Sequence, residues 1–217
     1  MRRWMKSIPP HVEPEIKPGW RRRHISTVLA KARAQWLADC ARRLGINPES
    51  YTLRVVEIGV HIGRHAWQLR KVFPNADLYL IDPWEYLPEM DGYMFNRAHS
   101  DDHSGWVRVY EDVVKMFKDD PKAHLLKMKN AEAAPQFREG SLDVIYVDGN
   151  HKAQYVAEDI QTWLPKLRVG GIMAGHDFKY SRRARFTVPH GIQITIGTRN
   201  VINGPDKNWL YYKDREP

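Results

Sequence analysis

Short apolar runs of strand length recur along the chain: "RVVEIGV" (54–60), "DLYLID" (77–82), "HLLKMK" (124–129), "LDVIYV" (142–147) and "GGIMAG" (170–175). Between them the apolar residues fall at helical spacing in "RHAWQLRKVF" (64–73), which Pro74 stops, in "AEAAPQF" (131–137) and in "AQYVAEDIQTWLPKL" (153–167). Strands that alternate with helices in this way predict a parallel sheet covered on both faces. The expected class is therefore α/β, a Rossmann-like, doubly wound, mainly parallel sheet. In the tail, "FTVPHGIQITIG" and "NWLYYKD" read as β-prone pieces that close the sheet with an antiparallel C-terminal strand.

A helical pattern precedes the first strand. Residues 24–44 place Ile25, Val28, Leu29, Ala32, Trp36, Leu37 and Cys40 on one face, with Ser26 as the expected cap and "GINPES" as the stop. Residues 1–19 are proline-rich and read as extended. This divides the chain into a basic N-terminal extension with one helix (1–50) and a Rossmann-like domain (51–217). The span 85–123 is long for a crossover and reads as a lid-like insertion, with a polar stretch (88–104) before the helical "WVRVYEDVVKMFKDD".

Charge changes the picture less than its total suggests. The 217 residues carry a net +8, but residues 1–50 hold 11 Lys/Arg against 4 Asp/Glu, so the rest is close to neutral. A solvated basic face explains such an extension, and docking to an acidic partner or substrate is the sharper reading. A core this neutral disfavours nucleic acid as the partner. One cysteine, Cys40, excludes an internal disulfide and a cysteine zinc site. No apolar run approaches the ~20 residues of a membrane span, and no apolar stretch follows the basic start. A cytoplasmic protein is expected, and a homo-oligomer is compatible with this reading.

In such sheets ligands bind beyond the C-terminal ends of the strands. The first strand runs into "EIGVHIGRH", where Gly59 and Gly63 flank His61; this is not the dinucleotide pattern, but it permits a tight turn and close approach of backbone to ligand. Glu57 can hold an amino group. Asp82 ends the second strand, about 20 residues beyond the glycine loop, where an acid accepts bonds from ribose hydroxyls. Singly, each is an ordinary strand-end carboxylate. In this order and spacing they favour a nucleoside that carries an amino acid.

The run "VVEIGVHIGRHAWQL…LYLIDPW…SLDVIYVDGNHKAQYVAEDIQTWLPKLRVGGIMAGHDF" resembles the class I S-adenosylmethionine-dependent methyltransferases over residues 54–178, and more closely the small-molecule O-methyltransferase branch with "IDG-H" and "GG-HD" motifs. The resemblance implies that the loop of Gly59, His61 and Gly63 wraps the methionine part of S-adenosylmethionine. It puts Glu57 at the family's "E-x-G" acid, Asp82 on the ribose, Pro83 and Trp84 beside the adenine, and Asn130 and Ala131 at the adenine edge. His61 departs from the family, where glycine is common.

Asp148 ends the fourth strand and His176 and Asp177 end the fifth. Adjacent strands lie ~4.8 Å apart, so the two acids can converge beside the cofactor. They repel unless a cation or a proton joins them, and oxygen ligands suit Mg²⁺. His151, three residues after Asp148, suits a general base. In metal-dependent sugar O-methyltransferases of similar pattern, the acid of "D-x-x-H" binds metal and its histidine is the base. The expected set is thus His151 as catalytic base, Asp148, His176 and Asp177 as metal ligands, and Asp148 also beside the cofactor. His176 stands where those relatives have an acid, and could ligate or serve as a second base. Asp159 is expected to orient a partner. Arg182, Arg183 and Arg185 read as a solvated loop, with a grip on an acidic substrate group as the alternative; His99, Asp101, Asp102 and His103 form a polar cluster of metal-like composition in the lid and are not expected as ligands. The expected activity is methylation of a hydroxyl on a small-molecule acceptor. An RNA methyltransferase that uses the basic N-terminus and a non-catalytic cofactor-binding protein are the alternatives.

Overall fold

The structure, a computed structural model, describes residues 3–87, 103–179 and 187–215. Strands β1 (Arg54–Ile58), β2 (Asp77–Asp82), β3 (Ala123–Lys127), β4 (Leu142–Val147) and β5 (Leu167–Gly175) run parallel. β6 (Ile202–Asn203) and β7 (Trp209–Tyr212) pair antiparallel with each other, and β7 pairs antiparallel with β5. The seven strands form one sheet in the order β3-β2-β1-β4-β5-β7-β6.

Strand alternation sorts the core into two layers. Val55, Leu78, Leu80, Val144, Tyr146, Ile172, Ala174 and Leu210 face one side. Helices α1 (Arg22–Arg43), α2 (Arg64–Val72) and α3 (His103–Phe117) cover it. Val56, Ile58, Ile81, Ile145, Val147, Met173, Trp209 and Tyr211 face the other, under α4 (Asn130–Ala133), α5 (Ala153–Trp163) and α6 (Val188–Thr195). No helix among the described residues is long and apolar enough to cross a membrane.

Three local expectations change. Ser26 does not cap α1. The helix begins at Arg22, and the Ser26 hydroxyl donates to the Arg22 carbonyl at 2.8 Å, the back-bond a serine makes inside a helix. α1 also packs into the first core layer: Ala30, Ala34, Leu37, Ala38 and Ala41 are fully buried, and small residues let it approach α2 closely. "VPHGIQIT", read as β-prone, is helix α6. Its start is fixed by a capping box between Thr187 and His190 and by Pro189 in the first turn. Gly191 then lets it lie against α5, where a Cβ would come within 2.6 Å of the Ala153 carbonyl oxygen. Cap and packing outweigh the weak helix propensity of its β-branched residues. The polar stretch 88–102, including His99, Asp101 and Asp102, lies outside the described residues, as do the His103 side chain and Arg182, Arg183 and Arg185.

The sheet places one point of extreme closeness at the site. Gly59 leaves β1 with φ 85°, and a Cβ there would fall 2.2 Å from the carbonyl oxygen of Asp148 at the end of β4. Substituting Gly59→Ala adds a left-handed-region penalty to a backbone clash, and should cost about 2–4 kcal/mol of stability in urea unfolding. Wild-type stability in that variant would mean the two strand ends are not held this close.

Candidate active site

A cavity of about 620 Å³ opens at the C-terminal ends of β1, β2, β4 and β5. The glycine loop forms one wall. Gly59, His61 and Gly63 all have positive φ, at 85°, 51° and 71°, which explains why glycine suits the position that His61 holds. Asp82 pins this loop. Its Oδ2 accepts the His61 amide at 2.9 Å and its Oδ1 the Trp84 amide at 2.7 Å. Burial pushes the Asp82 carboxyl up, against the pull of these amides and that of Val60. Pro83 lines the cavity; Trp84, expected beside the adenine, does not. Its φ of 44° turns the indole into the core, where it is fully buried, tilts against Tyr110 and donates Nε1–H to the His61 carbonyl at 2.8 Å. Gly63 likewise serves the turn into α2 and faces Val113 and Met116 rather than the cavity.

Glu57 lies in the floor, 1% exposed, and its Oε1 meets His65 Nδ1 at 2.8 Å. The His65 ring stacks on Tyr146 with centroids 4.1 Å apart. Burial drives the Glu57 carboxyl well up and the His65 imidazole well down, so desolvation disfavours the charge on each. Among the described residues Glu57 Oε2 has no hydrogen-bond partner. At the other end Asn130 and Ala131 line the cavity as expected. The Asn130 amide donates to Asp159 on α5, a buried acid that desolvation raises to about 7.

The chemical end is a charge cluster. Asp148, His151, His176 and Asp177 come together where β4 and β5 stop. His151 bridges the acids, Nε2 at 3.3 Å from Asp148 Oδ1 and Nδ1 at 3.2 Å from Asp177 Oδ2. His176 Nδ1 lies 3.6 Å from Asp148 and 3.2 Å from Asp177. The group whose donor atoms all lie within 4.8 Å of one another is Asp148, His151 and Asp177, with His151 in place of His176. His176 also turns its Nε2 to a further acid, Asp206, at 3.4 Å. Two oxygen donors and an imidazole fit a divalent cation.

Sequence reasoning missed two of these groups. Asp206 sits in the tight turn Pro205–Lys207 with φ 48°, and its amide donates to Glu13 of the N-terminal segment at 3.1 and 3.0 Å. No motif marks it. Arg33 reaches the cavity from α1, with Ser26 and Leu29 beside it. A signal was present: Arg33 lies three residues after Ala30 and four before Leu37, on a buried helical face where arginine is out of place. Its Nη1 is 3.8 Å from Asp148 and its Nε 3.7 Å from Asp206.

The cluster sets its own protonation. Burial works against the charge on Asp148, yet His176, His151 and Arg33 hold its carboxyl well below the ordinary range. Burial likewise opposes the charge on His176, and Asp148, Asp177 and Asp206 overcome it and raise the imidazole to about 11. His151 is raised by Asp148 and Asp177, again against burial.

A 3-2-1-4-5-7-6 sheet, a glycine loop pinned by the acid of β2, and acids and histidines at the ends of β4 and β5 define a class I S-adenosylmethionine-dependent methyltransferase. The chain belongs to the methyltransferase-domain family, whose profile matches residues 56–178. It is 25% identical over 131 residues to an uncharacterised Sinorhizobium fredii protein; the match covers 57% of this chain and 13% of that relative's length. The fold is shared with the O-methyltransferase NovP (15% identity, TM-score 0.61, 87% of this chain and 81% of that one). It is also shared with cofactor-bound Rv0187 from MTB (13%, 0.55, 92% and 93%) and with Aeropyrum pernix fibrillarin bound to S-adenosyl-L-methionine (14%, 0.52, 84% and 74%).

The raised His176 contributes stability that is complete below its unfolded value near 6.5 and is lost as pH climbs through about 11. In chelator, the unfolding midpoint of the metal-free protein should fall across this alkaline window. His176→Gln should flatten that fall, and an identical slope in the variant would contradict the assigned charge state.

Proposed function

We propose that the protein transfers the methyl group of S-adenosylmethionine to a hydroxyl oxygen of a small-molecule acceptor. The observation that carries this is the convergence of Asp148, His151 and Asp177 on the cavity whose other walls are Glu57, the glycine loop, Asp82 and Asn130. The nucleoside lies between Asp82 and Asn130, with the ribose against Asp82 and the adenine against Pro83, Asn130 and Ala131. Aeropyrum pernix fibrillarin, which shares this fold, binds S-adenosyl-L-methionine, and that supports a nucleoside cofactor here. The amino-acid end then runs along the loop toward Glu57, which sets the sulfonium methyl near Asp148.

Chemistry at this point needs little from the protein beyond alignment and proton removal. The acceptor oxygen attacks the methyl carbon, the carbon–sulfur bond breaks with its electron pair going to sulfur, and S-adenosylhomocysteine leaves. His151 takes the hydroxyl proton at Nε2, while Asp177 holds Nδ1 and fixes the ring. Asp148 and Asp177 would hold a divalent cation, which supplies Lewis acidity that makes the acceptor hydroxyl easier to ionise.

Calorimetry should show one site for S-adenosylhomocysteine. Asp82→Ala should weaken it by roughly 1–3 kcal/mol, the scale of charged hydrogen bonds, and should also lower stability because the glycine loop loses its anchor. Unchanged affinity would remove the ribose assignment. Labelled S-adenosylmethionine, offered sugars, phenols and RNA with and without Mg²⁺, tests the reaction. Label is expected on a hydroxyl compound, lost in chelator, and reduced by about 10²–10⁴ in His151→Ala. Full turnover in chelator would sink the metal, unimpaired His151→Ala the base, and label on RNA alone the small-molecule acceptor.

A further inference from the structure

Arg33 is a buried charge in the cavity wall whose hydrogen-bonding capacity is unused. Its side chain is 11% exposed, and among the described residues it donates no hydrogen bond. Asp148 and Asp206 lie at 3.8 and 3.7 Å, near enough to offset its charge but beyond hydrogen-bond length. A guanidinium offers five donors in a planar fork. Leaving them unmet in a buried wall is costly, so the geometry awaits an acceptor that the described residues do not supply.

The surroundings narrow what that acceptor is. Arg64 opens α2 directly after the glycine loop and lines the same cavity. Its charge is disfavoured first by burial and then by Arg23 and Arg33, so a second cation stands on this wall, one with no acid partner among the described residues. In the floor beside it, Glu57 Oε2 is buried and, among the described residues, unpartnered. An unmet cationic fork next to an unmet carboxylate oxygen is the complement of a zwitterion. Position is fixed by packing: Ala30, Ala34 and Leu37 bury the α1 face that carries Arg33, and Asn208 reaches the Arg33 carbonyl at 3.5 Å.

We infer that Arg33 is a carboxylate-recognising residue, which takes the α-carboxylate of the cofactor's methionyl end while Glu57 Oε2 takes its ammonium group. This rests on the cofactor reading above. It makes α1 part of the cofactor site, and it makes the protein selective for the carboxylated nucleoside. A carboxylate on the methyl acceptor is the other source with the same chemistry.

The test is a binding cycle by calorimetry, with S-adenosylhomocysteine and its decarboxylated analogue against wild type, Arg33→Gln and Arg33→Lys. Wild type should prefer the carboxylated ligand by about ten- to a hundredfold, the worth of a charged fork. Arg33→Gln should lose that preference while still binding the decarboxylated ligand. Arg33→Lys keeps a charge against Asp148 and Asp206 and should retain only part of the preference. Undiminished preference in both variants overturns the assignment. Equal loss for both ligands overturns it too, since Arg33 would then be structural. Benzoate is titrated into protein saturated with S-adenosylhomocysteine as a second arm. Binding there that Arg33→Gln abolishes, with the cofactor preference intact, would move the fork to the acceptor and overturn the cofactor assignment. Wild type that binds neither nucleoside would sink the cofactor reading itself.

Discussion

A carboxylate buried at the end of a strand must find positive charge, and Asp148 sets that demand for the whole site. Its oxygens face Arg33, His151 and His176, drawn from α1, the turn before α5 and the end of β5. Each partner brings a further acid within reach, so Asp177 and Asp206 join the cluster. The backbone of Asp148 is as constrained as its side chain. Its amide donates to Ile58 at 2.8 Å and its carbonyl lies against Gly59, so the charge cluster and the glycine loop are set by one strand crossing.

The same demand explains a two-sided chemistry. Without a bound cation, the acids favour the protonated form of both histidines, which then serve as counter-ions. In the proposed reaction, a divalent cation held by Asp148 and Asp177 would supplant that charge, and an imidazole would become free to take a proton. The proposed base and metal would thus be coupled through Asp148, which touches His151 and His176 alike.

Much of this was legible in the chain. The strands were visible because β-branched and aliphatic runs ended in Gly59, Asp82, Asp148 and Asp177, and ligands gather at such ends in parallel sheets. The pairing of Asp148 with His151 and of His176 with Asp177 needed only spacing and strand order. What was not legible depended on tertiary contact. Trp84 could sit beside a ligand or in the core, and its left-handed φ decides for the core. α6 looked β-prone because its residues are branched, while the contact that makes it a helix is Gly191 against α5. Asp206 is one acid in a turn until the chain brings it to His176, thirty positions away in sequence. Arg33 was hidden by a reading of α1 as an appendage, although an arginine between buried alanines pointed inward.

The central claim is that one cavity holds the nucleoside cofactor with its sulfur turned toward Asp148. A crystal structure grown with S-adenosylhomocysteine and Mn²⁺ tests it most directly. The account predicts adenosine between Asp82 and Asn130, sulfur facing the Asp148–His151–Asp177 cluster, and an anomalous manganese peak shared by Asp148 and Asp177. Nucleoside bound elsewhere, or sulfur turned away from that cluster, would contradict it.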